Sequence, residues 1–475
     1  MAFKEPRLAL LVALAVQQLS SAAFAQSATQ AETGLPEVKV SGTRELAPTY
    51  NAPTAITATK IEAPLRDIPQ TVNVVPQQLL RDQRATSMQD VLKSVPGIGM
   101  SHGDGQRDEV TIRGFNAIGD QFIDGVRDDA MYFRDLSNIE QVEVIKGPAS
   151  VLYGRGSSGG LINRITKKPG IDKSEVTAQV GSWNQRRGEI DLARNFSENG
   201  VAFRVTGAIE RADSYRDKQF LNREALAPSL LLKLGSDTNL LLQAEYLSDR
   251  RVTDFGVPAY RGKPVDVPTS TYYGAANAAE VDTSEARMTA VGFTLNHRFS
   301  NQLSVRNAFR HYDYKLNRND TFVNSVNEAA RSATLLHNNT RREEDGYFNQ
   351  TELTQKAELA GMEHQILYGI EIGRQDKDQF RRRANAGTVS LFNPVLPVVA
   401  LNATAAPFVD NLGIMKTSSA YVQDLVTLSD RWKALAGVRY DRFEQETKER
   451  RAGQRNLSRS DKEWSPRIGL VDCNN

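Results

Sequence analysis

The stretch Ile139–Pro169, IEQVEVIKGPASVLYGRGSSGGLINRITKKP, decides how the rest of the chain is read. An amphipathic strand pattern runs into Gly147-Pro148. A short segment and a glycine-dense turn follow, then a second strand pattern that ends at Lys167-Lys168-Pro169. Beyond it the sequence changes character, to roughly three hundred residues of period-two strand patterns and polar connections. A compact unit feeding a long succession of hairpins predicts an α+β N-terminal plug followed by a transmembrane antiparallel β-barrel.

Toward the N-terminus, residues 56–168 mix helix and strand signals and form the plug. Ser87 is placed to cap a helix through Val91 and Leu92 that Pro96-Gly97 stops. Val110 and Ile112, then Phe122 and Ile123, mark strands around loops carrying Gly114, Gly119 and Gly125. A unit of roughly 110 residues is long enough to have its own core. Residues 26–55, rich in Ala, Thr and Pro, read as a flexible arm with a β-prone patch at Leu35–Ser41. In residues 1–25, Lys4 and Arg7 precede an apolar run from Leu8 to Val16 and an Ala23-Phe24-Ala25 cleavage pattern, the form of a secretory signal. The apolar run is too short to span a bilayer.

From residue 174 to 475 the period is two. Val201, Phe203, Val205, Gly207 and Ile209 share one face of a strand, and Ala202, Arg204, Thr206, Ala208 and Glu210 share the other. Leu240, Leu242, Ala244 and Tyr246 alternate with Gln243 and Glu245 in the same way. Polar inward and apolar outward is the outer-membrane barrel pattern, which leaves no long apolar run. Alternation alone does not separate a barrel from a soluble sandwich. Loop asymmetry favours the barrel, because short turns such as Ser236-Asp237-Thr238 alternate with long polar segments near 253–282, 318–345 and 379–415, read as loops. The net charge of +2 gives no bulk attraction to nucleic acid. With Cys473 the single cysteine, an exported chain has no disulfide framework and depends on a large core or a closed barrel.

About twelve barrel strands are legible, of the 22 found in plugged outer-membrane transporters. Twelve leave two open edges. Each unpaired backbone group in hydrocarbon costs several kcal/mol, so two edges of roughly five groups cost on the order of tens of kcal/mol.

Signal, arm, plug and barrel together resemble the TonB-dependent siderophore receptors of the Gram-negative outer membrane. The resemblance rests on PLRDIPQ from Pro64, LKSVPGI from Leu92, TIRGF from Thr111, FIDGVRD from Phe122 and the opening stretch itself, with more diffuse matches at LAGVRYDRFE from Leu435 and SPRIGLV from Ser465. It implies uptake of a ferric siderophore, with iron arriving already chelated and no resident cofactor, metal site or enzymatic activity. It implies coupling to TonB, with ExbB and ExbD, through a β-prone box at Glu37, Val38, Lys39, Val40, Ser41 and Gly42. Such a box adds itself as a strand to a partner sheet. Family members carry about as many strands again and finish on an aromatic residue, so the resemblance also implies a C-terminally truncated form, inactive in transport.

The same resemblance places the ligand over plug loops at 102–107, 119–121 and 132–134. Tyr132, Phe133 and Arg134 lead, with Arg107 and Gln121 behind them, because aromatic rings and guanidiniums suit an anionic aromatic chelate. The spacing is closest to catecholate receptors. Haem or cobalamin uptake, or a passive porin-like barrel, stay open as alternatives. Arg381-Arg382-Arg383 reads as a solvated charge run, and Arg113 as the partner of an acidic group in the plug or wall. Gly154-Arg155-Gly156-Ser157-Ser158-Gly159 matches a dinucleotide-binding fingerprint by letters alone. A strand follows it where that fold needs a helix, so it reads as a tight turn.

Overall fold

The computed structural model describes residues 50–101, 105–156, 158–196, 199–400 and 405–473. The signal reading, the arm as far as residue 49 and the box at Glu37–Gly42 lie outside these residues, while the arm's last residues are part of the plug, where Thr54–Ala55 pairs with Ala63–Pro64. A five-stranded sheet organises the plug: β1 (Thr71–Pro76), β5 (Gln121–Ile123), β6 (Val126–Arg127), β7 (Ile139–Lys146) and β8 (Gly160–Thr166), in the order β1-β7-β8-β5-β6. β8 and β5 run parallel and the other pairs antiparallel. A second small sheet joins β2 (Ile98–Ser101), β3 (Glu109–Ile112) and β4 (Phe115–Asn116). Helices α1 (Gln77–Asp82) and α2 (Met88–Leu92) cover one face, and Leu80, Met88, Val91 and Leu92 meet Val142, Val144 and Ile162 in the core. Ser87 caps α2 as expected. Its Oγ accepts from the Asp90 amide at 3.3 Å, and the Asp90 carboxylate accepts from the Ser87 amide at 3.2 Å.

The opening stretch folds as strand, one-turn helix α3 (Ser150–Tyr153), turn and strand. Its glycines serve close backbone approach. A Cβ on Gly159 would sit 2.3 Å from the Ile112 carbonyl oxygen, and one on Gly160 2.0 Å from that of Ile145. One expectation needs correction here: all eight residues of β7 are buried, so the strand is not half-exposed. Its second face, which carries Gln141 and Glu143, is covered by the plug's first segment.

The barrel portion is one twelve-stranded antiparallel sheet with every strand next to its sequence neighbours. It comprises β9 (Lys173–Val180), β10 (Arg186–Phe196), β11 (Val201–Asp213), β12 (Phe220–Lys233), β13 (Thr238–Val252), β14 (Thr283–Arg298), β15 (Leu303–Asn327), β16 (Ser332–Leu359), β17 (Met362–Ser390), β18 (Val409–Thr427), β19 (Trp432–Glu449) and β20 (Leu457–Asp472). Among the described residues, β9 and β20 are paired on one side only. The alternation read from β11 and β13 holds. Ala202, Arg204, Thr206, Ala208 and Glu210 are buried toward the plug, while Ile209, Leu242 and Tyr246 face outward and are exposed. Ile370, Ile372, Ile468 and Leu470 continue the outward apolar band.

Of the three segments read as long loops, 318–345 is almost entirely strand, while 379–415 is strand at both ends, to Ser390 and from Val409, with residues 391–400 in no strand. β15, β16 and β17 have 25, 28 and 29 residues, and only residues 328–331 separate β15 from β16. A tilted strand crosses a bilayer in about 9–11 residues. Beyond that length the inward side chains are buried but mostly polar, such as Arg318, Asp320, Asn338, Thr340 and Glu344, and the outward ones, such as Asn317, Arg341 and Glu343, are polar and exposed, which removes the apolar rows by which a membrane strand is recognised. Residues 253–282 do form a long loop, with a two-residue hairpin and a one-turn helix at Ala278–Val281.

Placing Arg at Ile370, in the intact barrel, is expected to cost about 2–4 kcal/mol. Replacing Glu343, exposed on the strand extension, by Ala is expected to stay within about 0.5 kcal/mol. Urea unfolding in lipid vesicles, read by the electrophoretic shift of the folded barrel, checks both.

Candidate functional site

FIDGVRD and the loop after it carry Asp128, Asp129 and Asp135, and the inward rows of the barrel carry arginines at matching heights. The segment Asp128–Asp135 leaves β6 and is clamped between them. Arg134 Nε donates to Asp128 Oδ2 at 3.2 Å, the Tyr132 hydroxyl donates to the same oxygen at 2.9 Å, and Arg164 also pairs with it. Arg310 of β15 stands 3.9 Å from Asp128 Oδ1 and 2.8 Å from Glu245 of β13. Arg187 of β10 grips Asp135 with two bonds of 2.8 and 3.0 Å, and Gln375 of β17 donates to Asp129 at 2.6 Å. The Arg251 guanidinium lies over the Phe133 ring at 3.8 Å, and Tyr314 donates to the Met131 carbonyl.

Burial alone raises the Asp128 carboxyl, but the guanidiniums of Arg134, Arg164 and Arg310 outweigh it and bring it down to about 2. Burial, together with the Asp128 charge, pushes the Tyr132 hydroxyl up to about 12. Asp108 is shifted the other way, because its burial exceeds what Arg134 returns. The plug is thus held to the wall by desolvated charge alongside an apolar patch, where Val126, Ala130 and Tyr132 pack with Leu247, Met288 and Phe348. A cavity of about 40 Å³ remains at this contact, between Tyr132, Asp135, Asn138, Arg164 and Glu245.

The five residues expected to meet ligand fall in different places. Tyr132, Phe133 and Arg134 are at most 8% exposed and engaged in this clamp. Gln121 is fully buried on β5, and its side-chain amide has no hydrogen-bond partner among the described residues. Arg107 pairs with Glu109 at 3.2 Å and keeps 13% of its side chain exposed. Sequence reading missed Asp128, Asp129 and Asp135. The available signal was their density opposite inward-facing Arg187, Arg223 and Arg310. Arg381, Arg382 and Arg383 each lie over a ring, Arg381 and Arg383 over Phe408 at 5.7 and 4.8 Å and Arg382 over Phe380 at 4.7 Å, with Arg383 exposed and the other two half-buried. Arg113 is also corrected. It is exposed at positive φ beside Lys146, whose ammonium is shifted down by burial and by that neighbouring charge.

Residues 64–161 match the TonB-dependent receptor plug domain, and residues 226–472 match the TonB dependent receptor-like β-barrel. The barrel match spans more than half of the chain, and the protein belongs to the TonB-dependent receptor family of the Gram-negative outer membrane. It is similar to the metal-pseudopaline receptor CntO of Pseudomonas aeruginosa, at 28% identity over 95% of this chain and 65% of that receptor. It is similar to the probable TonB-dependent receptor BfrD of Bordetella pertussis, at 31% identity over 91% of this chain and 61% of that one. The crystal structure of the siderophore receptor PiuA from Acinetobacter baumannii superposes with a TM-score of 0.77 at 25% identity, covering 86% of this chain and 62% of that structure. The chain therefore spans less than two thirds of the length of these relatives.

Replacing Asp128 by Asn leaves buried guanidiniums without their counter-charge and is expected to cost about 3–5 kcal/mol. The wild-type contribution is present above the unfolded carboxylate pKa near 4 and is lost as pH falls toward about 2. Urea midpoints of both forms between pH 7 and pH 2.5, which should converge as pH drops, check this.

Proposed function

We propose that the protein is an energy-coupled outer-membrane receptor for an anionic ferric siderophore. The observation that carries this reading is the plug held inside a polar wall by ion pairs, beneath a mouth of guanidiniums stacked on rings. Arg155 bonds Asp129 and Gln375 and lies over Phe443 at 4.8 Å, while Arg383 lies between Phe408 and Phe322. Such pairs suit a chelate that is both negative and aromatic, which favours a catecholate type. The names of CntO and PiuA support a metal chelate as cargo. Arg107 would touch the chelate, whereas Tyr132, Phe133, Arg134 and Gln121 would shape the plug apex from beneath. TonB, with ExbB and ExbD, would supply the work by adding Glu37–Gly42 to a partner sheet.

Deleting Glu37–Gly42 from the intact receptor should abolish growth on the ferric chelate as sole iron source while leaving chelate binding to cells unchanged. Growth that survives the deletion removes the coupling assignment. Arg155→Ala and Arg383→Ala should each weaken chelate binding about tenfold, as expected for loss of a desolvated cation–π and charge contact. Fluorescence quenching titration of the purified receptor measures that loss.

A further inference from the structure

Just before the plug sheet, residues 55–61 pass between the plug and the wall. On the plug side the amides of Ile56 and Thr57 donate to the Glu143 carboxylate, Thr57 at 2.8 Å. The Tyr153 hydroxyl donates to the Thr57 carbonyl at 2.8 Å, and Asn163 donates to the Thr57 hydroxyl at 2.9 Å. On the wall side, Lys60 donates to Glu352 at 2.7 Å and to the Tyr421 hydroxyl at 2.8 Å, and Gln423 donates to the Thr59 carbonyl at 3.1 Å. Lys60 holds this position at φ +58°, where a residue with a Cβ is disfavoured. Its side chain is 4% exposed.

Glu143 is fully buried in β7, opposite Asn163 on β8 and Val74 on β1. Among the described residues no cation bonds it. Its carboxylate is met by the amides of Ile56 and Thr57 and by the Gln141 side chain at 2.6 Å. A buried carboxylate without its donors is one of the costliest things a sheet can contain.

We propose that Glu143 is a positioning residue that makes the plug sheet's stability conditional on residues 55–61 staying in place. While the segment is seated, its amides satisfy the charge. When the segment is drawn out, β7 keeps at its centre a carboxylate that has lost its backbone donors and retains Gln141 alone, and the sheet loosens there first. Lys60 sets the threshold from the wall side, because its ammonium leaves with the segment and Glu352 is left with Arg306 and Tyr421. A displacement of a few residues thus becomes loosening of β1, β7 and β8. This deepens the energy-coupling reading and rests on it, since the arm that precedes the segment is where work would be applied.

Hydrogen exchange of the intact receptor in detergent tests the device without TonB. Thr57→Pro, which removes the amide that donates to Glu143, should speed exchange in β1 and β7 by about tenfold or more. Adding Glu143→Gln, which keeps an acceptor but no charge, should restore most of the protection. Lys60→Ala, which frees the segment without touching Glu143's donors, should give the same acceleration and the same rescue. Unchanged exchange in both single variants, or acceleration that Glu143→Gln does not reverse, overturns the proposal. Either failure leaves the coupling role of Glu37–Gly42 to be decided by the deletion experiment.

Discussion

The structure depends on one constraint: the inward face of this membrane barrel carries many buried charges, so whatever fills it must meet them with charges of its own. Lipid on the outside claims the apolar rows, as Ile370 and Ile468 show. The plug then meets Arg187, Arg223, Arg310 and Lys377, and answers with Asp128, Asp129 and Asp135. A dry ionic contact adds little net stability over an apolar one, but it is strict about geometry and intolerant of missing partners. It defines one seated position for the plug without welding it there.

The plug has two kinds of cohesion. Its own core is apolar and shared between two helices and the sheet, through Met88, Leu92, Val142 and Ile162. Its attachment to the wall is ionic over a span from Asp135 and Arg187 across Asp128 and Arg310 to Lys60 and Glu352, with an apolar patch at Val126 and Ala130 beside it. A unit built this way can shift within its housing without first losing its core. The segment at residues 55–61 is the exception, because it belongs to both contacts at once.

Much of the fold was legible in the sequence for direct reasons. Ser87 and Asp90 are a local signal with local consequences, and strict alternation in β11 and β13 identifies which rows face lipid. The long strands were not legible where they leave the membrane, because polar side chains on both faces, buried inward and exposed outward, erase the contrast that marks a strand. The site was less readable than the fold. Tyr132, Phe133 and Arg134 carry the chemistry of ligand contact, yet Asp128, six residues back, claims Arg134 for the clamp, and Arg251, far along the chain, claims Phe133. The stacking of Arg383 on Phe408 and Phe322 likewise depends on strand register rather than on spacing along the chain.

β15, β16 and β17 stay hydrogen-bonded far beyond the hydrocarbon, with continuous pairing from Leu303 to Asn327 against Ser332 to Gln355 apart from one bulge. At about 3.3 Å per residue, a 29-residue strand is several times longer than a bilayer crossing requires. The outer rim on this side is therefore a stiff palisade rather than a fringe of floppy loops. A visitor arriving there finds its contacts already in place, so little chain entropy remains to be surrendered on capture.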